Sequence, residues 1–183
     1  MVAFNFKMLY EPSDDSFLLA EQVKKFSKNN SVLDIGSGTG IQIEIAKNYG
    51  ASSILATDIN PEAIKILKSK KIPCIKSDLC SKVKGKYDLI IFNPPYLPEY
   101  LSEDSDSKLI TTGGKNGDEL ILKFLKKSKK HLNKNGNILL LISSLTPRRK
   151  INFLIKKLNL KKSILSYKKI FFEVLEVWKL KNI

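Results

Sequence analysis

The 183-residue chain is poor in the residues that build metal centres and disulfide frameworks. It has two cysteines, Cys74 and Cys80, and one histidine, His131. Two thiols make a poor disulfide framework and, with one imidazole, a poor zinc set. No metal is expected, and the three side chains read as two buried thiols and a surface imidazole. No run approaches the ~18 apolar residues of a membrane span, so no membrane role is expected. The stretch from Met1 to Lys7 lacks the basic-then-apolar order of a secretory signal, and the expected place of work is the cytoplasm. Internal repeats and low-complexity linkers are also missing. What is present is ordinary for a globular protein, 43% hydrophobic and 27% charged. The length suits one domain with one sizeable core.

Acidic residues are scarce in one part only. Residues 1–110 hold 14 lysines and 14 acids, which cancel. Residues 111–183 hold 18 Lys+Arg against Asp118, Glu119, Glu173 and Glu176, so the whole formal charge of +14 lies there. A basic face attracts nucleic acid or a ribonucleoprotein; a Lys- and Asn-rich compositional bias accounts for the charge equally well.

Periodicity divides the chain into alternating elements. Phe17, Leu18, Leu19 and Val23 predict an amphipathic helix over roughly 13–28, with Ser13 as N-cap. Strands are expected at Ser31 to Ile35, Ser53 to Thr57, Ile72 to Lys76, Tyr87 to Phe92 and Asn137 to Ile142. The fourth is apolar enough to be buried on both faces. Helices are expected from Ile41 to a stop at Gly50, from Pro61 to about Lys70, from Asp118 to His131 and from Pro147 to Leu158. A long loop, about 97–116, separates the fourth strand from the next helix, and loops of that length are usually functional or mobile. Two extended segments, about 161–169 and 171–180, should pair as a hairpin. Such an order indicates a three-layer α/β sheet, whose ligands sit beyond the carboxyl ends of the strands where strand order reverses.

Four strand ends carry candidate site residues. The run Asp34-Ile35-Gly36-Ser37-Gly38-Thr39-Gly40 follows a strand and opens a helix, and its glycines allow tight turning and close backbone approach to a ligand. The third glycine comes one position early for a pyrophosphate-binding fingerprint. Asp34 suits a ligand with an ammonium and a ribose. Asp58 can accept from both hydroxyls of a ribose. Asp78 could accept from an adenine amino group while Leu79 covers the ring. This set resembles the S-adenosylmethionine site of Rossmann-like methyltransferases.

Asn93-Pro94-Pro95-Tyr96 ends the fourth strand. Two prolines remove two backbone donors and stiffen the turn, leaving the Asn93 side-chain oxygen and the Pro94 carbonyl free to accept. Two fixed acceptors can hold a planar NH2 group in line with a sulfonium methyl, which is most of what methyl transfer requires. Tyr96 can stack on a flat amide or base. The motif occurs in enzymes acting on adenine N6, guanine N2 and glutamine amides, and alone does not choose among them.

Further segments point to a family. Tyr10-Glu11-Pro12-Ser13-Asp14-Asp15-Ser16-Phe17-Leu18-Leu19, Thr57-Asp58-Ile59-Asn60-Pro61-Glu62-Ala63 and Gly113-Gly114-Lys115-Asn116-Gly117-Asp118-Glu119 together resemble the short HemK-like branch of archaea and eukaryotes, over nearly the whole chain. The resemblance implies a Rossmann-like class I fold: a mostly parallel seven-stranded sheet with a C-terminal antiparallel hairpin and helices on both faces. It implies one domain, residues 1–30 forming an N-terminal helical segment and 31–183 the core. The implied activity is S-adenosylmethionine-dependent methylation of the glutamine of the Gly-Gly-Gln motif in class 1 peptide-chain release factors; nucleic-acid amino methylation is the alternative. Implied cofactor contacts fall on Ser16, Asp34, Gly36, Asp58, Asp78, Leu79 and Asn93, with Gly38 in the loop between them. Ser16 and Asp34 stand where relatives can have Thr and Glu. The resemblance also implies a small zinc-binding activator protein paired along the third strand, expected at a sheet edge, where Pro73 blunts the strand only if its missing donor would face outward.

Overall fold

The computed structural model describes residues 9–97, 99 and 111–183. Seven strands form one sheet: β1 (Ser31–Ile35), β2 (Ser53–Asp58), β3 (Cys74–Lys76), β4 (Tyr87–Phe92), β5 (Leu132–Ser143), β6 (Leu160–Ile170) and β7 (Glu173–Asn182). Their order is β3-β2-β1-β4-β5-β7-β6. β1 to β5 run parallel, and β7 returns antiparallel between β5 and β6. The expected mostly parallel sheet with a terminal hairpin is what forms.

Strand alternation splits the core in two. Leu33, Ile35, Ile90, Phe92, Leu140 and Trp178 face one side, against α4 (Glu119–Ser128) and α5 (Arg148–Lys157). Val32, Leu89, Ile91, Leu139 and Val177 face the other, against α1 (Asp14–Ser27), α2 (Ile41–Asn48) and α3 (Pro61–Ser69). Two faces under helices explain why β4 reads as an uninterrupted apolar run. Trp178 is 0% exposed; its indole Nε1 donates to Glu176 at 2.6 Å and Lys162 Nζ stands 3.8 Å from the ring centroid. Among the described residues no helix is long and apolar enough to cross a membrane.

Local chemistry sets the helix ends. Pro61 opens α3, and Asn60 caps it by accepting from Glu62 N at 2.9 Å. Gly50, at φ +83°, stops the chain after α2. Ser13 holds the N-cap position of α1, but its hydroxyl makes no capping bond. The helix expected to reach His131 ends at Ser128 and closes in a 3-10 turn, Lys129–His131.

Three expectations need correction. β3 starts at Cys74, two residues late, because Ile72 is 4% exposed and belongs to the core under α2 and α3. β5 starts at Leu132, five residues early, with a register shift against β4 over this stretch. The run Asn133-Lys134-Asn135-Gly136 reads as a turn but is held: Asn133 donates to Asp88 at 2.6 Å, and Asn182 donates to Asn133 O at 2.8 Å. His131 is buried at 6% exposure, its Nδ1 lying 2.9 Å from Gly85 O, and of the two thiols only Cys80 is fully buried. The loop expected over 97–116 lies mostly outside the described residues.

Candidate active site

The carboxyl ends of β1, β2 and β4 meet around a cavity of about 420 Å³, within the ~300–1,000 Å³ usual for small-molecule sites. It opens where strand order reverses, β1 being flanked by β2 on one side and β4 on the other. All the sequence candidates line it: Ser16, Asp34, Gly36, Gly38, Asp58, Asp78, Leu79, Asn93, Pro94, Pro95 and Tyr96.

One half is built by α1 and the first three strand ends. Gly36, Gly38 and Gly40 all take positive φ, 65°, 53° and 90°, which explains why the loop is glycine at alternate positions. Asp58 Oδ2 accepts from Gly38 N and its Oδ1 from Asn60 N, both at 2.8 Å, so the acid locks the loop in place. Burial raises its pKa, and those backbone donors oppose the rise. Asp34 is buried, and its Oδ2 has no partner. Burial, with the Asp58 carboxylate adding to it, pushes Asp34 up to about 7. An orphaned carboxylate oxygen beside a cavity calls for a donor from a ligand; an ammonium fits it.

Asp78 is less free than expected. Lys123 and Lys127 donate to its Oδ2 at 2.8 and 3.3 Å, and the Lys123 bond foremost holds its pKa low. Both bonds use the same oxygen. Leu79 takes φ +51°, a conformation unusual for a branched residue, with its side chain in the core.

The other half is Asn93 to Tyr96. Asn93 Nδ2 donates to Asp15 Oδ2 at 3.1 Å, while Asn93 Oδ1 is buried without a partner. The free acceptor expected from the motif is therefore present. Three segments hold the motif. Asp15 comes from α1. Thr146 Oγ1 donates to Tyr96 O at 3.0 Å. Gly113 N donates to Leu97 O at 2.9 Å, and a Cβ on Gly113 would lie 2.7 Å from Pro95 O and 2.6 Å from Gly117 O. Only glycine fits that crossing. Tyr96 is half-buried, and burial, with the Asp15 and Glu173 carboxylates adding, pushes its hydroxyl pKa well up. It stays neutral at any physiological pH.

Sequence reasoning gave no role to Asp15, Tyr10, Gln42 or Thr146. Tyr10 donates to Asp15 Oδ1 at 2.9 Å, and Gln42 Nε2 donates to Ser16 O at 2.8 Å. Tyr10 and Asp15 do stand in the segment that carries the family resemblance, which was the one available signal.

Fold and cavity together define a methyltransferase, and the chain belongs to the methyltransferase small domain family, which matches residues 13–172. Within it the chain stands with the N5-glutamine enzymes. It is 40% identical to a putative protein N5-glutamine methyltransferase of Methanocaldococcus jannaschii, over 94% of this chain and 92% of that one. It is 30% identical to the methyltransferase HEMK2 of Mus musculus, over 65% of this chain and 64% of that one. Among solved structures it resembles the E. cuniculi Mtq2-Trm112 complex, described as responsible for methylating the translation termination factor eRF1. That likeness has a TM-score of 0.78 at 22% identity and covers 96% of this chain and 99% of that one.

Proposed function

We propose that the chain moves the methyl group of S-adenosylmethionine to the side-chain amide of the glutamine in the Gly-Gly-Gln motif of a class 1 peptide-chain release factor. The observation that carries the reading is the buried, unpartnered Asn93 Oδ1 at the end of β4. It is one acceptor for a planar NH2, with the Pro94 carbonyl as the other, and Tyr96 flanks the amide plane. Asp34 takes the cofactor's ammonium, Asp58 the ribose, and Asp78 with Leu79 the adenine. Ser16, Gly36, Gly38 and Asn93 complete that wall. The cofactor, when bound, supplies an activated methyl and its own leaving group. The chain's work is then to orient the amide nitrogen and exclude water, and no strong base is required. A release-factor acceptor puts this work in the cytoplasm.

The relatives' names support glutamine over a base as acceptor. A lysine-lined cleft, formed by Lys86, Lys129, Lys130 and Lys134, lies at the amino ends of β4 and β5, the opposite end of the sheet from the cavity. At that end this cleft does not itself supply the phosphate track into the site that a flipped base would need. Contact between this face and nucleic acid or a ribonucleoprotein is a separate proposal, which the acceptor reading does not need.

A small zinc-binding activator paired along β3 belongs to the same proposal. β3 is one of the two edges of the sheet, β6 being the other. Pro73 O accepts from Ala56 N at 2.9 Å and Ser77 N donates to Asp58 O at 2.8 Å. Alternate backbone groups therefore face β2, and those of Cys74 and Lys76 face outward. The missing donor of Pro73 would have faced inward, so Pro73 does not block the edge. The test is incubation with labelled cofactor and, separately, a release factor, tRNA and DNA, each with and without the activator. Label is expected on the release factor and not on its Gln→Ala variant. Label on nucleic acid alone would overturn the reading.

A further inference from the structure

Asp15 is 4% exposed, and its two oxygens have different work. Oδ1 accepts from Tyr10 Oη at 2.9 Å, Ser16 N at 2.5 Å and Ser16 Oγ at 3.1 Å. Oδ2 accepts from Asn93 Nδ2. Its neighbour Asp14 pairs instead with Lys168 from β6, at 2.7 Å. An ionised carboxylate only accepts. Whichever end of the Asn93 amide meets it must therefore be the NH2, and the oxygen must face the other way. A flipped Asn93 would set its oxygen against Asp15 Oδ2 and leave both without a donor, a costly state for buried groups.

We infer that Asp15 is a positioning residue for methyl transfer: it fixes the Asn93 amide so that its oxygen, never its NH2, meets the acceptor nitrogen. The inference rests on the acceptor reading above. It makes a sharp demand on an isosteric change. In Asp15→Asn the three donors around Oδ1 still need an oxygen there, which puts the new NH2 in the Oδ2 place. Two amide NH2 groups would then face each other, so Asn93 turns over and presents a donor where an acceptor is needed. Adding Asn93→Asp restores the pattern: one carboxylate oxygen accepts from the amide introduced on α1, the other faces the acceptor site, and the net charge of the pair is unchanged.

The test compares wild type, D15N, N93A and the D15N/N93D pair, in complex with the activator if activity requires it. D15N should lose as much kcat as N93A, about 10²–10³-fold, the usual cost of one oriented group. Its Tm should stay close to wild type because the bonds to Ser16 persist, and cofactor Kd should weaken far less than kcat, since Asn93 is only one of several cofactor contacts. The double variant should regain at least about tenfold over D15N, a recovery that general loosening of α1 would not give. In protein free of cofactor and acceptor, nitrogen-15 NMR should show an Asn93 side-chain amide proton shifted downfield by the carboxylate, and D15N should remove that shift. The inference is overturned by wild-type turnover in D15N, by cofactor affinity falling as far as kcat, by a double variant no better than the single, or by an unchanged Asn93 resonance. The NMR arm needs no acceptor, so a wild type that leaves release factors unlabelled would sink the acceptor reading while the amide orientation is still read.

Discussion

Asp34 stands close to half-protonated at neutral pH in the free protein, its carboxyl pushed up to about 7 by burial and by the charge of Asp58. That lies above the ordinary 3.8. Folding therefore takes up a proton between those two values, and the free protein loses this share of stability as pH rises from about 4 to about 7. A cofactor ammonium reverses the preference, since it needs the carboxylate. Cofactor affinity should rise with pH up to about 7 and fall again where the cofactor's own ammonium loses its proton, ordinarily at about 7.7–8.0, and binding near pH 7 should release a proton from Asp34. Calorimetry in buffers of different ionisation enthalpy measures that proton, and Asp34→Asn should remove it. At this scale the glycine loop and the acids at strand ends were readable because their spacing is tied to the strand–turn–helix geometry. Asp15 was not. Asp14 and Asp15 both read as acids in the first turn of a helix, where the macrodipole accommodates them. Only the packing of α1 against β4 shows that one meets Lys168 and the other Asn93.

Among the elements, the segment at Gly113 and the edge at β3 give the clearest tests. Gly113→Ala forces a Cβ within 2.6–2.7 Å of two carbonyl oxygens, so the backbone must move. Such overpacking costs ~1–3 kcal/mol, a fall in Tm of roughly 2–12 °C for a chain this size. Because one of those oxygens belongs to Pro95, turnover should fall more than cofactor affinity; melting curves alongside calorimetry check both. On β3, Ile75 is half-buried and Ile72 is core. Ile75→Glu should abolish co-purification with the activator while the isolated chain keeps its circular dichroism. Ile72→Glu should unfold the chain, because it buries an unpaired charge. The apolar run Ile72-Pro73-Cys74-Ile75 did not reveal that difference, because an edge strand and the approach to it carry the same residue types. The start of β5 was missed for the opposite reason. Asn133, Lys134, Asn135 and Gly136 are turn formers, and only long-range bonds to Asp88 and Asn182 hold them extended. Elsewhere the ends of β1, β2 and β4 were legible, since the apolar runs there stop at Gly36, Asp58 and Asn93-Pro94, and Pro61 marked the start of α3.

On the scale of the whole molecule, the three-layer α/β class follows from alternation of strands and helices, which the sequence displays directly. The charge map does not. The count of +14 says nothing of where the lysines gather, and the structure puts one cluster at the amino ends of the strands, away from the cavity. A ligand that binds only the folded chain stabilises it as a whole, by about 2.7 kcal/mol at a hundred times its Kd, or roughly 5–10 °C in Tm. S-adenosylmethionine should give that shift, and Asp58→Ala should largely remove it, because the acid both holds Gly38 and meets the ribose. The chain has its own gauge for the measurement. Trp178 is its single tryptophan, sealed between the sheet and α5 and absent from the cavity wall. Its emission should be that of a buried indole beside an ammonium. It should ignore cofactor titrated into the native protein and move to the red only when the sheet opens, so one optical signal separates occupancy of the site from loss of the fold.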